Sequence, residues 1–128
     1  MATKNESMIK VYIAGPYSDS DVLGVLRNIG RGEDIACQVF QLGFAPFVPW
    51  HDKSFVISSY RYDFSVDAFY KYSIEWLKVS DCMLVVPNVP GLKNWENSMG
   101  TRKEIETAKS LDKPVFYSIT EMIKYYGK

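Results

Sequence analysis

Two short apolar runs rich in β-branched residues constrain this chain more than anything else in it. Residues 9–14 read Ile-Lys-Val-Tyr-Ile-Ala and stop at Gly15-Pro16, and residues 81–87 read Asp-Cys-Met-Leu-Val-Val-Pro. Runs of this length, bounded by turn residues, are buried strands. The segments between and after them carry helical rather than strand periodicity. Val22, Val25/Leu26, Ile29, Ile35/Ala36 and Val39/Phe40 predict a helix from 22 to about 42 with that face inward, softened at Gly30 and Gly32 and capped by Gly43. Residues 44–49, Phe-Ala-Pro-Phe-Val-Pro, suit an edge strand because of their prolines. A second helix opens at Val66 with Asp67 in its first turn, and Phe69, Tyr72/Ser73, Trp76-Leu77 and Ser80 trace its inner face. A third helix runs from Ser98 to about Leu111 with Ile105, Ala108 and Leu111 inward; residues 113–118 form a further strand and 120–126 a terminal helix.

Alternating strands and helices mean parallel strands joined by crossovers, with helices on both faces. The expectation is one domain over residues 1–128, an α/β Rossmann- or flavodoxin-like three-layer sandwich around a parallel sheet of four or five strands. Ligands bind such sheets outside the carboxyl ends of the strands, at the switch point. The loops 15–21 and 88–100, which leave the two strongest strands, should therefore face each other there. Residues 51–65, with Phe55, Tyr60, Tyr62 and Phe64, lack a clean period and read as a lid or binding loop, or as a loop packed on the surface or a second subunit.

Charge excludes some partners. Lys plus Arg equals Asp plus Glu at 15 each, so no basic field points to a nucleic-acid polymer. Residues 1–8 hold no apolar signal region and the longest apolar runs are far too short to span a bilayer, so a cytoplasmic protein without membrane association is expected. Cys37, Cys82 and the single His51 have no metal-ligand spacing; buried free thiols, no metal and no cofactor are the expectation, although His51 could reach the crevice.

The chemistry concentrates in Ser98-Met99-Gly100-Thr101-Arg102-Lys103-Glu104. Ser98 is a good N-cap, Gly100 permits close backbone approach, and the first helical turn presents N–H groups suited to an anion. Glu104, six residues on, can face the same pocket. On the residues alone the leading reading is a favourable acid near a helix start, worth only about 0.3–1 kcal/mol.

Together, Tyr12-Ile13-Ala14-Gly15-Pro16-Tyr17-Ser18, Trp76-Leu77 with Ser80-Asp81, and Ser98 through Glu104 resemble the nucleoside 2-deoxyribosyltransferase superfamily over residues 11 to about 116. The similarity leans to its nucleoside 5′-monophosphate N-glycosidase branch, and Trp95-Glu96-Asn97-Ser98 with Glu104 is similar to small phage-type members. The resemblance implies that Glu104 attacks the anomeric carbon and releases the base, through an oxocarbenium-like transition state to a glycosyl ester. It implies a serine at position 98 for a 5′-monophosphate where nucleoside enzymes carry aspartate, and an aspartate would repel a phosphate dianion. Base exchange between nucleosides and a non-catalytic nucleotide-binding module are the alternatives, and a homodimer is expected.

Two positions depart from the pattern. The hydrolases' acid, eight residues before Asp81, is Ser73 here, and a serine has no suitable proton to give. Asp67 or another acid substitutes, the leaving base needs little help, or turnover is weak. Ser18 stands where an arginine meets the phosphate, and Arg31, Arg61 or Arg102 could compensate. The candidate site thus comprises Glu104 and Asp67 as catalytic groups, with Tyr12, Gly15, Tyr17, Ser18, Trp95, Ser98, Gly100 and Thr101 around the substrate. Tyr12 and Tyr17 could equally be packing aromatics, and Trp95 a loop anchor.

Overall fold

The computed structural model describes residues 7–58 and 61–128. In chain order the elements are β1 (Lys10–Ala14), α1 (Val22–Gln41), β2 (Ala45–Phe47), a 3-10 turn (Pro49–Asp52), α2 (Lys53–Ser58), α3 (Val66–Val79), β3 (Cys82–Val85), a 3-10 turn (Trp95–Asn97), α4 (Met99–Ser110), β4 (Val115–Phe116) and α5 (Ile119–Tyr126). The strands form one four-stranded parallel sheet in the order β2-β1-β3-β4. This is the expected α/β sandwich with a parallel sheet.

Strand alternation assigns the two faces. Val11, Ile13, Cys82 and Leu84 pack with α1 and α5, while Tyr12, Ala14, Met83 and Val85 pack with α3 and α4. Both sets are fully or almost fully buried, and each large side chain so placed contributes about 1.5–3 kcal/mol. Asp81 fastens the start of β1 to that of β3 by accepting the Lys10 N–H at 2.7 Å.

Helix α1 keeps part of its predicted face, with Val39 buried and Ile29, Ile35 and Ala36 packed against the core, and departs from it elsewhere. Val22, Leu26 and Phe40 are exposed, and the buried positions are Gly24, Asn28, Gly32 and Val39. The helix is unbroken, and two glycines serve packing rather than softening it. A Cβ on Gly24 would lie 2.4 Å from the Asp19 carboxyl carbon, and one on Gly32 would lie 2.3 Å from the Trp50 ring. Leu42, not Gly43, is the C-cap; Gly43 follows at φ +95°, with Gly43 N–H bonding to Phe40 O and Phe44 N–H to Val39 O.

Part of the segment expected as an irregular loop is the Pro49–Asp52 turn and α2, and it packs on α3, with Phe55 against Tyr72 at 5.6 Å and Phe64 against Phe69 at 5.7 Å. Tyr60 lies outside the described residues. Cys37 is exposed rather than buried, Cys82 is buried, and Leu111 is a partly exposed C-cap. Among the described residues no helix is long and apolar enough to cross a membrane.

Candidate active site

β1 is flanked by β2 on one side and β3 on the other, so the chain reverses its winding between β1 and β3. A cavity of about 460 Å³ opens there, at the carboxyl ends of the strands. The loops after β1 and β3 meet across it as the alternation predicts. Val86 N–H donates to Ala14 O at 2.8 Å, and a Cβ on Gly15 would lie 2.6 Å from the Val86 side chain, so only glycine lets these strand ends run so close. Lys93 Nζ donates to Ser18 O at 2.6 Å, and Asn28 Nδ2 to Tyr17 O at 3.2 Å. Arg31 binds the loop from below through Lys93 O, Pro87 O and Asn94 Oδ1.

The α4 side of the cavity is built as its sequence suggests. Ser98 is the N-cap of α4 and is buried; its Oγ accepts the Thr101 N–H at 3.3 Å and the Thr101 hydroxyl at 2.9 Å. Its own proton is then the donor left to face a ligand. A Cβ on Gly100 would meet nothing within 4 Å, so the cavity has open space above the first helical turn. Ser98, Met99, Gly100, Thr101 and Glu104 all line it, with Lys93 and Ser18 facing them from the two loops.

Glu104 is half-buried and accepts a hydrogen bond at Oε2 from the Tyr12 hydroxyl. Burial raises its carboxyl to about 7, the Tyr12 bond opposes that rise, and the charge of Asp52 adds to it. Tyr12 is fully buried, and burial with the adjacent Glu104 charge holds its phenol well above the ordinary range, while the Ser73 hydroxyl works in the opposite sense. Ser73, Tyr12 and Glu104 therefore form one polar string from α3 through β1 to α4. An aspartate at position 73 would place a further negative charge beside it.

The structure brings most of the expected residues to the cavity: Gly15, Tyr17, Ser18, Ser98, Gly100, Thr101 and Glu104 line it. Three do not. Tyr12 lies beneath Glu104 as its hydrogen-bond donor. Trp95 packs on Tyr117 at 5.5 Å, turned toward the core by its 3-10 turn. Asp67 points to solvent and pairs with Lys71 at 3.1 Å. Its displacement is helical geometry: Val66, Phe69, Tyr70 and Ser73 form the stripe of α3 that faces the cavity, and position 67 falls outside it. His51 sits 3.5 Å from Glu33, outside the cavity, and Arg31 is engaged with the loop while Arg61 and Arg102 do not line it.

Asp52 and Lys93, which do line the cavity, were not legible as site residues. Their only signal was position, each in a loop leaving a strand beside the switch point. Among the described residues no cluster of His, Cys, Asp and Glu is grouped to hold a metal ion.

The Tyr12–Glu104 bond gives a direct expectation. Tyr12→Phe removes a donor to the ionised carboxylate, a bond worth about 1.5–3 kcal/mol, so any reaction needing ionised Glu104 slows roughly tenfold to a hundredfold at pH 7. The ascending limb of its pH–rate profile moves to higher pH, which steady-state kinetics across pH 5–9 would reveal.

Two solved structures share this architecture. A conserved protein from Enterococcus faecalis V583 superposes with a TM-score of 0.58 at 22% identity, over 85% of this chain and 62% of that one. A 2-deoxyribosyltransferase from Bacillus psychrosaccharolyticus superposes at 0.55 with 21% identity, over 83% of this chain and 69% of its own. The chain thus shares its fold with these two structures, one of them a 2-deoxyribosyltransferase, and spans less than two thirds of the length of the first. At the level of sequence the chain belongs to the family described as Domain of unknown function (DUF1937), whose model matches residues 9–120. No curated protein matches it.

Proposed function

We propose that this protein is a nucleotide N-glycosidase, cleaving a (deoxy)nucleoside 5′-monophosphate to free base and sugar 5-phosphate. The observation that carries the reading is the Glu104 carboxylate, held by Tyr12 in a cavity whose α4 end starts at the Ser98 cap. The 5′-phosphate docks on the first turn of α4, where the Ser98 hydroxyl, the N–H groups of Met99 and Gly100, and Lys93 supply donors and positive charge. Glu104 attacks C1′ as the glycosidic bond opens, and the resulting ester is hydrolysed by water. A carboxylate near 7 suits this work, because it is readily ionised at neutral pH yet is a tolerable leaving group from the ester.

Incubation with a panel of nucleotides and chromatography of the free base tests the reading. Release that depends on Glu104 supports it, and no release from any nucleotide overturns it. Ser98→Asp keeps a helix cap but places a negative charge against the phosphate. It is expected to raise KM for a monophosphate on the order of a hundredfold, from about 2–3 kcal/mol of like-charge repulsion and lost donation, while sparing the unphosphorylated nucleoside.

Base exchange is the second reading, favoured by the likeness to a 2-deoxyribosyltransferase. Product that forms only when an acceptor base is added would establish it. Self-association accompanies either reading, because Phe55, Ile57, Tyr62, Phe64 and Val66 expose apolar surface around α2 and the start of α3.

A further inference from the structure

Glu104 shares its cavity with another carboxyl group. Asp52 ends the 3-10 turn that follows β2, is half-buried, and lines the cavity from the β2 side, across the end of β1 from α4. It is near enough for its charge to act on Glu104, Tyr12 and Tyr17 alike. Among the described residues that line the cavity, the groups suited to a phosphate are at the start of α4 and in the loops carrying Ser18 and Lys93. A nucleotide with its phosphate there and its C1′ at Glu104 directs its base toward β2 and the inner stripe of α3.

That end of the cavity needs an acid. A nucleobase leaving as an anion is a poor leaving group, and a proton delivered to it lowers the barrier. The α3 stripe offers Val66, Phe69, Tyr70 and Ser73. The Tyr70 hydroxyl engages Thr107 Oγ1 at 3.3 Å and Ser73 leans on Tyr12, so this stripe offers hydroxyl groups and no carboxyl group. Asp67 is outside, paired with Lys71.

We propose that Asp52 is the general acid–base of this site, protonating the departing base and then deprotonating the water that resolves the glycosyl ester. The proposal rests on the N-glycosidase reading. In the first step a Glu104 oxygen bonds to C1′, the C1′–N bond breaks, its electron pair goes to the base, and the Asp52 proton passes to a base ring nitrogen or carbonyl oxygen, leaving Asp52 ionised. In the second, water attacks C1′, its proton returns to Asp52, and the C1′–Glu104 bond breaks with its electrons on Glu104. The sum is nucleotide plus water to base plus sugar 5-phosphate. The Asp52 charge opposes that of Glu104, so the step proceeds from the arrangement in which Glu104 bears the charge, on its Tyr12 hydrogen bond, and Asp52 the proton.

The test compares leaving groups. Asp52→Asn is expected to slow base release from natural nucleotides about a hundredfold or more, while cleavage of the 4-nitrophenyl glycoside of the same sugar 5-phosphate, whose phenolate departs without a proton, falls less than about threefold. Glu104→Gln abolishes both. Retained cleavage of the activated glycoside also certifies that the variant is folded, and Asp52→Glu recovers part of the natural activity. Undiminished base release by Asp52→Asn overturns the assignment of Asp52 alone, as does equal loss on both substrates by a variant whose thermal melt matches wild type. Absence of base release by the wild type overturns the N-glycosidase reading, and Asp52 with it.

Discussion

Glu104→Gln is expected to lower base release on the order of 10⁴-fold or more while making the folded protein more resistant to heat at pH 8. The kinetic loss follows from the loss of the nucleophile itself: a Gln oxygen can accept the Tyr12 hydrogen bond but cannot form the ester. At 1.36 kcal/mol per decade, 10⁴-fold is about 5 kcal/mol of barrier. The stability gain follows from linkage. Glu104 ionises near 4.5 in an unfolded chain and near 7 when folded, so the folded state holds its proton over that window. Stability from this group is present in full below pH 4.5 and is lost as pH rises through 7. Gln does not titrate. The variant therefore gains on the wild type from pH 5 to pH 8, by about 3 kcal/mol at most on the same 1.36 kcal/mol scale. Thermal melts of both proteins at the two pH values measure the difference. A gain at pH 5 equal to that at pH 8 would contradict the carboxyl's assigned environment.

A large loss of stability is expected at Gly32. The Trp50 ring covers this glycine so closely that a Cβ would stand 2.3 Å from one ring carbon and 2.6 Å from another. Trp50 is buried and its indole N–H reaches Glu33 Oε1 at 3.3 Å, which restrains the ring against retreat. Gly32→Ala should cost about 1–3 kcal/mol through overpacking. That corresponds to roughly 3–5 °C of Tm per kcal/mol in a domain of this size. Because Trp50 and Asp52 share one short turn, base release should fall further than stability alone explains. Gly30→Ala is the internal control. It lies in the same helix, a Cβ there meets nothing within 4 Å, and the change should stabilise by about 0.5–1 kcal/mol.

These two glycines also mark where the sequence could and could not be read. The apolar runs at 9–14 and 81–87 announced β1 and β3 because a parallel strand buried on both faces leaves a continuous hydrophobic signature. Their position located the switch point, and the Ser98 cap located the start of α4. Helix α1 was legible in its Ile29, Ile35, Ala36 and Val39 face, but periodicity counts bulky side chains and so passed over Gly24 and Gly32, the buried positions that admit Asp19 and Trp50. The different places of Asp67 and Asp52 have a related reason. The acid on a recognisable helix start is conspicuous in a sequence, but its angular position turns it to Lys71. Asp52 sits in a segment without period, and only the packing of that segment beside β2 carries it into the cavity.

The most direct measurement is the mass of the protein quenched during turnover of a nucleoside 5′-monophosphate, followed by mapping of any adduct. The expected species is heavier than the apoprotein by one sugar 5-phosphate less water, attached at Glu104, formed together with free base and absent from Glu104→Gln. Free base released at undiminished rate by Glu104→Gln, or an adduct attached at any other residue, would contradict Glu104 as the nucleophile.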